Sequence, residues 1–380
     1  MESRFSIAEF REWLAFRREG AFVATSPGHA PAAIEALGAS LPPHAEPLLW
    51  MATSGTTAQG AGFPSRWIGH TREALMASAK SVCGWVGVQS SDRWARILPL
   101  HHMGGLSIEI RAAHLGFSVE EWKDEWNPLA LARWLEQSRC SLVSMVPTQV
   151  HDLVRAKQRC PEGIRAVIVG ADRLAEDLLH GALGLGWPVL PSYGMTETAS
   201  MIACHRPGTD PTDPALPLLD GVRAWIDEKG SIEGRLQLDC PQLFHSELDW
   251  KGDHYQLRRR PRGHWLSEDL VRLSPDLRSI TPLGRDQDFV KILGEGIRLA
   301  DLDLRLSILL RGAGFDGDCA FSAVEDERAG ARLVMVLTRE WASALDLWNA
   351  SCAPFERASE KRVVDALPRT ELGKLRRRLI

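Results

Sequence analysis

Two short segments of this 380-residue chain combine hydroxyl side chains with glycine directly after an apolar stretch, and both are suited to bind phosphate. The first has the sequence TSGTT at residues 53–57 and follows the predicted strand Leu48–Ala52. Its backbone N–H and side-chain O–H groups can converge on phosphate oxygens. The same residue types are also common in plain surface turns, so this segment alone leaves both interpretations open.

The second segment, SYGMTET at residues 192–198, follows the apolar run Trp187–Leu190. In an open α/β sheet, ligands bind beyond the carboxyl ends of the strands, so the two segments could share one nucleotide. Tyr193 could then stack on the base, Thr196 could bond a phosphate and Glu197 could hold Mg²⁺. The alternative is a solvated helix start with a glutamate in its first turn.

Three other patterns carry less weight. Residues 55–60 have the glycine spacing of a P-loop, but Ala61 occupies the position of its lysine. The sequence GAGFDG at residues 312–317 fits a dinucleotide-binding fingerprint, yet a strand-like segment follows it rather than the start of a helix. Cys204 and His205 have no partner pair at zinc spacing. We therefore expect neither a P-loop NTPase, nor a dinucleotide site there, nor a zinc site.

The elements that would position the two phosphate-binding segments alternate between strand and helix. Apolar runs at Ala95–Leu98, Leu142–Val146 and Ala166–Val169 predict buried strands, each followed by a helical pattern. Asn127-Pro128 has the residue types of a helix cap and first turn. This alternation predicts an α/β fold whose sheets are mostly parallel and covered by helices.

The pattern changes in the last 175 residues or so, after Cys204. Short strands predicted at Val222–Ile226, Arg235–Leu238 and Leu270–Leu273 indicate a small β-rich subdomain at about residues 220–284. It would complete the larger of two domains.

The C-terminal part has its own α+β pattern, with a helix predicted at Leu302–Leu310 and a strand at Val363–Ala366. We expect an N-terminal domain of residues 1–284 that binds nucleotide and a small, mobile α+β domain of residues 285–380. A chain of this length accommodates two domains.

Composition excludes several classes of protein. Lys and Arg number 45 and Asp and Glu 49, so the net charge of −4 provides no overall positive field for nucleic acid. No stretch approaches the roughly 20 apolar residues of a membrane-spanning helix, and the first 20 residues lack a signal-peptide core. Seven scattered cysteines without a C-x-x-C pair predict reduced thiols. We expect a cytoplasmic protein whose partners are small molecules.

Six motifs occur in the order of one known family. Besides TSGTT and SYGMTET they are PLHHMGGL at 99–106, WLSEDL at 265–270, GRDQDFVK at 284–291 and PRTELGK at 368–374. With them the chain resembles the adenylate-forming acyl-CoA synthetase superfamily of AMP-binding enzymes. Within it, VSMVPTQ at 143–149 and SYGMTETAS at 192–200 are most similar to the 2-succinylbenzoate–CoA ligases of menaquinone biosynthesis.

The resemblance implies a two-step reaction that uses ATP, Mg²⁺ and CoA. A carboxylate attacks the α-phosphate of ATP and forms an acyl-adenylate and pyrophosphate; the CoA thiol then displaces AMP and leaves a thioester. Positioning and charge neutralisation dominate such transfers. The implied enzyme is an AMP-forming acid–thiol ligase for 2-succinylbenzoate, whose small domain turns about Gln287 and Asp288 between the steps.

The resemblance also implies roles for single residues. Lys374 would bridge the attacking carboxylate and the α-phosphate, and Asp269 would accept hydrogen bonds from both ribose hydroxyls. Arg285 would reach the nucleotide, and His102 would lie between the acid and CoA sites. The remaining nucleotide-binding or catalytic positions are Thr53, Ser54, Gly55, Thr56, Thr57, Tyr193, Gly194, Thr196 and Glu197, the last of which would bind the metal.

The chain departs from the family pattern in ways that leave alternatives open. After TSGTT we infer an insertion, with Arg66 in place of the family's lysine, and Ser267-Glu268 replace Thr-Gly before Asp269. Gln287 stands where the family often has Asp. The alternatives are an adenylating enzyme for another aromatic or aliphatic acid or for a carrier protein, and an inactive homologue that acts as a binding module.

Overall fold

A computed structural model describes residues 6–15, 19–24, 30–42, 45–53, 64–228, 230–285, 289–292, 295–326, 329–370, 373 and 375–380. Its helices are α1 Ile7–Leu14, α2 Ala30–Ser40, α3 Arg72–Val86, α4 Met103–Leu115, α5 Pro128–Gln137, α6 Pro147–Arg155, α7 Glu176–Gly184, α8 Leu299–Gly312 and α9 Ala344–Ser351.

The strands are β1 Phe22–Ala24, β2 Leu49–Ala52, β3 Arg66–His70, β4 Arg93–Arg96, β5 Ser118–Glu121, β6 Leu142–Met145, β7 Ala166–Val169, β8 Val189–Met195, β9 Ser200–Cys204, β10 Leu216–Pro217, β11 Arg223–Ile226, β12 Glu233–Asp239, β13 Ser246–Trp250, β14 Tyr255–Arg259, β15 Trp265–Leu273, β16 Ser279–Arg285, β17 Phe289–Ile292, β18 Glu295–Arg298, β19 Cys319–Asp326, β20 Gly330–Leu337 and β21 Ala358–Val363. In these ranges we find no helix with the length and apolar character needed to cross a bilayer.

The largest sheet has the strand order β5-β4-β6-β7-β8-β9, with every neighbouring pair parallel except β8 and β9. Alternate residues of its central strands enter two apolar clusters. Leu142 and Ile168 pack on the side of α3 and α4, whereas Val143 and Val167 pack on the side of α5, α6 and α7. A sheet that is buried on both faces requires continuous apolar strands. The expected parallel, helix-covered sheet is confirmed.

A second sheet has the order β1-β2-β3-β13-β14 and is antiparallel except between β1 and β2. One face carries Trp50, Trp67, Leu248 and Tyr255, which pack with residues of α2. Gly69 lies opposite Trp50 in the register, and a Cβ at Gly69 would come within 2.8 Å of the indole ring. Glycine here leaves the room that the tryptophan occupies.

Six of the 14 tryptophans of the chain are almost completely buried, which gives these six a structural role. Indole rings are large and apolar, so each one buries much surface on folding. The tryptophans that are less than 2% exposed are Trp13, Trp50, Trp67, Trp94, Trp187 and Trp348.

A third sheet has the order β10-β16-β15-β12-β11. The chain as a whole divides into two compact units, of which the first comprises Met1–Trp225, Gln237–Leu266 and Leu273–Thr281. The second comprises Ile226–Leu236, Ser267–Arg272 and Pro282–Ile380. The division of the chain at residue 284 and the mobility of the C-terminal part remain predictions.

The second unit contains the hairpin β17-β18 and the sheet β19-β20-β21. Leu302, Leu306 and Leu310 of α8 are buried against Phe321 and Trp348 in its apolar cluster. The predicted α+β character of this part is confirmed. The next element after the end of α8 at Gly312 is a strand, so the glycine-rich sequence at 312–317 opens no helix, as expected.

Some predicted strands differ from those observed. The expected strand Val363–Ala366 is wrong, since β21 covers Ala358–Val363 and pairs with β20. Charged residues occupy this edge strand, as is common for sheet edges, so its apolar signal is weak. The polar segment after Leu190, for which a solvated helix start was the alternative, forms the second half of β8 and pairs with β9.

Candidate active site

A short 3-10 turn, Thr196–Thr198, joins β8 to β9 at the carboxyl end of the parallel strands. The Thr198 side chain is buried and closes this turn. Its hydroxyl accepts the Met195 N–H at 3.1 Å and lies 2.7 Å from the Ser200 carbonyl. Thr196 and Glu197 are therefore presented at the edge of the sheet where an α/β fold binds ligands.

Gly194 of β8 faces the backbone of β9 at short range. A Cβ at this position would be 2.2 Å from the Ser200 carbonyl oxygen and 2.4 Å from the Met201 Cα. Any side chain would force the two strands apart and move the turn between them. The need for glycine here is a packing requirement, and the nucleotide-binding role of Gly194 remains a prediction.

The backbone after the turn adopts an uncommon conformation. Ala199 has φ 52° and Ser200 has φ 139°, in the region that favours glycine. Such residues cost roughly 1–3 kcal/mol each and persist only where neighbours hold them. Ser78 Oγ donates to the Ala199 carbonyl at 3.1 Å, and Arg111 Nη2 donates to Ser200 Oγ at 3.0 Å. Helices α3 and α4 thus fix the strained segment.

Arg111 is buried, and burial lowers its pKa to about 10. The guanidinium nevertheless stays charged at neutral pH. Its Cζ lies 5.0 Å from the centre of the Trp94 ring, a cation–π contact that favours the charged form. Ser78 and Arg111 were not predicted from the sequence, because a polar residue within a helix shows no sign of the distant segment that it contacts.

Strand β3 contacts the turn from the side. Arg66, Ile68 and His70 lie on one face of this strand, since alternate residues share a face. His70 Nε2 donates to the Thr196 carbonyl oxygen at 2.7 Å. Burial lowers the pKa of His70 to about 4, so the ring is neutral at physiological pH.

The main chain of Glu197 is held as well, because Phe244 N–H donates to its carbonyl oxygen at 2.8 Å. Two successive carbonyl groups of the turn, those of Thr196 and Glu197, are thus anchored by β3 and by the segment before β13.

The Glu197 side chain is paired with Arg66. Arg66 Nη1 donates to Glu197 Oε1 at 2.9 Å, and Arg66 Nε donates to Glu247 Oε2 at 3.0 Å. Burial disfavours the charged guanidinium, but attraction to Glu197 and the bond to Glu247 outweigh it, so the pKa of Arg66 is raised. The carboxylate of Glu197 is thereby fixed in direction.

The strand register explains how these charges come together. Asp249 lies opposite Arg66 and Glu247 lies opposite Ile68, so both acidic residues share the face of Arg66. Arg258 of β14 lies opposite Glu247 and contacts it at 3.1 Å. Four charged residues on this face belong to three neighbouring strands, with the acidic pair on the middle strand. We call these four residues the charge row: Arg66, Glu247, Asp249 and Arg258.

The start of the TSGTT segment lies next to this arrangement. Thr53 N–H donates to the Arg66 carbonyl oxygen at 3.1 Å, directly after the last paired residues of β2 and β3. Thr53, Arg66 and Glu197 are therefore connected by contacts within the first unit. The following predicted site residues lie outside the described residues: Ser54, Gly55, Thr56, Thr57 and Lys374.

The remaining predicted site residues are distributed between the two units. His102 immediately precedes α4, with its ring centre 4.4 Å from that of His101, and Tyr193 is half-buried on β8. Asp269 lies within β15, in the second unit, where its N–H donates to Ser267 Oγ at 3.1 Å. Arg285 ends β16 in the same unit. Their expected roles remain predictions.

The donors near the turn fit the expected metal. Mg²⁺ is commonly held by one or two carboxylates together with substrate phosphates and water. Glu197 supplies such a carboxylate, with a side chain that is 12% exposed. One residue that would hold Mg²⁺ together with phosphates and water is therefore present, although a guanidinium contacts the same carboxylate in this structure.

Comparison with known sequences identifies the family. The profile of the AMP-binding enzymes matches residues 14–230. The 2-succinylbenzoate–CoA ligase of Bacillus subtilis (strain 168) is 25% identical over 342 residues, which are 86% of this chain and 67% of that enzyme. The 2-succinylbenzoate–CoA ligase of Enterococcus faecalis (strain ATCC 700802 / V583) is 32% identical over 217 residues, 56% of this chain and 43% of that enzyme.

Comparison with solved structures agrees. o-Succinylbenzoate CoA synthetase from Bacillus subtilis, in complex with the acyl-adenylate intermediate OSB-AMP, matches with a TM-score of 0.74 at 25% identity. The match covers 87% of this chain and 68% of that one. ATP-bound MatB from Rhodopseudomonas palustris matches 100% of this chain and 82% of its own with a TM-score of 0.72, and at 18% identity it shows a shared fold.

The expected α/β fold and the resemblance to the superfamily are both confirmed by these matches. This chain spans about two thirds of the length of the Bacillus subtilis enzyme. The family profile extends over more than half of the 380 residues and includes the Thr196–Thr198 turn, Thr53 and Arg66. The chain therefore belongs to the AMP-binding enzyme family.

Proposed function

We propose that this protein is an AMP-forming acid–CoA ligase that converts 2-succinylbenzoate to its CoA thioester in menaquinone biosynthesis. The observation that carries the proposal is the anchoring of the Thr196–Thr198 turn. Its main chain is held by His70 and Phe244, and its Glu197 carboxylate is directed by Arg66, next to the start of the TSGTT segment. Catalysis by positioning requires such a preorganised group.

The proposed chemistry assigns a task to each group. Mg²⁺, when bound, would offset the charge of the triphosphate, and Glu197 would hold it at the edge of the sheet. Thr196 would contact the α-phosphate that the substrate carboxylate attacks, with pyrophosphate as the leaving group. Asp269 would orient the ribose, and Lys374 would neutralise charge between the carboxylate and the α-phosphate. The CoA thiol would then displace AMP, with His102 near the thiol's path.

The choice of 2-succinylbenzoate rests on the relatives. Both curated relatives described above act on this acid by name, and the Bacillus subtilis structure holds its adenylate. The motif at 143–149 points to the same branch of the superfamily. We propose ATP and CoA as co-substrates and Mg²⁺ as the metal ion. We also propose a cytoplasmic location.

The test is acid-dependent exchange of pyrophosphate into ATP, followed by thioester formation with free CoA. We expect both activities with 2-succinylbenzoate. Glu197→Gln should lower the exchange rate by about 10²–10³, the usual loss when one charge-stabilising group is removed from an active site. Glu247→Gln is the matched control, because Glu247 also contacts Arg66 but lies outside the turn; it should keep most of the exchange.

The other outcomes identify the alternatives. Exchange without a thioester from free CoA would favour a carrier protein as acceptor. Exchange that depends on a different aromatic or aliphatic acid would overturn the choice of substrate. The absence of exchange with every acid of a broad panel would favour an inactive homologue that acts as a binding module.

A further inference from the structure

Arg66 contacts carboxylates of the site and of the neighbouring strand, whereas the family pattern predicts a phosphate-binding residue at this position. The sequence suggested that Arg66 replaces a phosphate-binding lysine. In the structure its guanidinium instead contacts carboxylates, with Nη1 2.9 Å from Glu197 and Nε 3.0 Å from Glu247. Its side chain is 27% exposed, so these contacts are made largely away from bulk water and are weakly screened.

Arg66 faces several carboxylates at once. Glu197, Glu247 and Asp249 bring three negative charges within 4 Å of Arg66. Arg258 contacts Glu247 and Asp249 from the outer strand and is 55% exposed. Removal of Arg66 would leave these carboxylates with Arg258 and with Lys251, which lies 4.0 Å from Asp249 and is 42% exposed, so the potential at Glu197 would become more negative.

We propose that Arg66 is a positioning residue that acts as an internal counter-ion of Glu197, and that a divalent cation has to take this carboxylate over from Arg66. The inference rests on the proposed function, in which Glu197 is the metal ligand. Arg66 would direct Glu197 in the nucleotide-free protein and would weaken the binding of free metal. The site would then hold metal firmly once nucleotide phosphates contribute their own negative charge.

The experiment measures Mn²⁺ binding to the full-length, nucleotide-free protein by electron paramagnetic resonance. Arg66→Met removes the counter-ion and keeps an unbranched side chain of similar length. We expect the dissociation constant for Mn²⁺ to fall by about tenfold or more. Arg66→Lys, which keeps the positive charge, should stay within about threefold of the wild-type protein.

Arg258→Met is the matched control. It removes a guanidinium from the same charge row, but one that contacts Glu247 and Asp249 rather than Glu197. Because this arginine is more exposed, its charge is better screened, and Mn²⁺ affinity should change by about twofold or less. Equal tightening in Arg66→Met and Arg258→Met would mean a general effect of net charge and would overturn the proposal.

A second measurement distinguishes a role of Arg66 as the counter-ion of Glu197 from a role in binding phosphate. If Arg66 binds phosphate, Arg66→Met will raise the KM for ATP strongly and leave the affinity for free Mn²⁺ unchanged; that result also overturns the proposal. Unchanged Mn²⁺ affinity in Arg66→Met together with acid-dependent exchange in the wild type would refute the inference alone. The proposed function fails separately, if the wild type shows no exchange with any acid of the panel. Full exchange in Glu197→Gln would refute the metal-binding role of Glu197 and, with it, the inference.

Discussion

The two faces of the sheet β1-β2-β3-β13-β14 are built from alternate residues of the same strands and serve different purposes. One face, which we call the tryptophan face, carries Trp50, Trp67, Leu248 and Tyr255 and is buried with α2. The opposite face carries the charge row and His70, which contacts the Thr196–Thr198 turn, together with the buried Leu49 and Met51 of β2. Trp67 and Arg66 are adjacent in β3, and for this reason their side chains lie on opposite faces of the sheet.

This difference shows how one sheet can supply both stability and chemistry. Side chains of successive strand residues point to opposite faces, so one strand can place apolar residues on one face and charged residues on the other. The tryptophan face excludes water and fixes the strand positions. The strands then hold the charges of the other face at distances that long, exposed side chains would not maintain on their own.

The largest effect is expected on the tryptophan face. Trp67→Ala removes a fully buried indole that contacts the ring of Tyr255, and it should lower the free energy of unfolding by about 3–5 kcal/mol. Urea denaturation followed by circular dichroism measures this loss. A loss below about 1 kcal/mol would show that this face does not hold the sheet together.

A smaller, pH-dependent effect is expected from His70. Its pKa is lowered to about 4 by burial, whereas the unfolded chain should protonate it near 6.5. Between these values the unfolded state binds the extra proton, so stability falls as the pH falls. From pH 7 to pH 4.5 the wild type should lose about 2 kcal/mol more than His70→Gln, which cannot titrate.

Urea denaturation of both proteins at the two pH values tests this expectation. Gln can still donate a hydrogen bond to the Thr196 carbonyl, so the comparison isolates titration from the loss of the contact. Parallel pH profiles for wild type and variant would mean that His70 is protonated in the folded protein.

The smallest effect is expected at the outer end of the charge row. Arg258→Met removes ion pairs to Glu247 and Asp249 from a side chain that is 55% exposed. Exposed ion pairs contribute little, so the free energy of unfolding should change by about 0.5 kcal/mol or less. A loss as large as that of Trp67→Ala in the same denaturation experiment would erase the distinction between the two faces.

Much of the fold was accessible from the sequence. Apolar runs such as Leu142–Val146 and Ala166–Val169 predicted the parallel strands, and Asn127 predicted the start of α5, where its side chain accepts the Leu129 and Ala130 N–H groups at 3.0 Å. Local patterns of this kind depend on neighbouring residues alone. The antiparallel strands β3, β13 and β14 were not predicted. Polar and apolar residues alternate in β13 and β14, but each strand has only five residues, so the local signal is short.

The motifs by themselves determined the family, since their residue types and order need no coordinates to be recognised. The tertiary structure decided which groups meet at the turn: Arg66 with Glu197, His70 with Thr196, and Arg111 with Ser200. These pairs are separated by 131, 126 and 89 residues along the chain. Strand register and helix packing determine such contacts, because charge and hydrogen bonding act over a few ångströms in space regardless of distance in sequence.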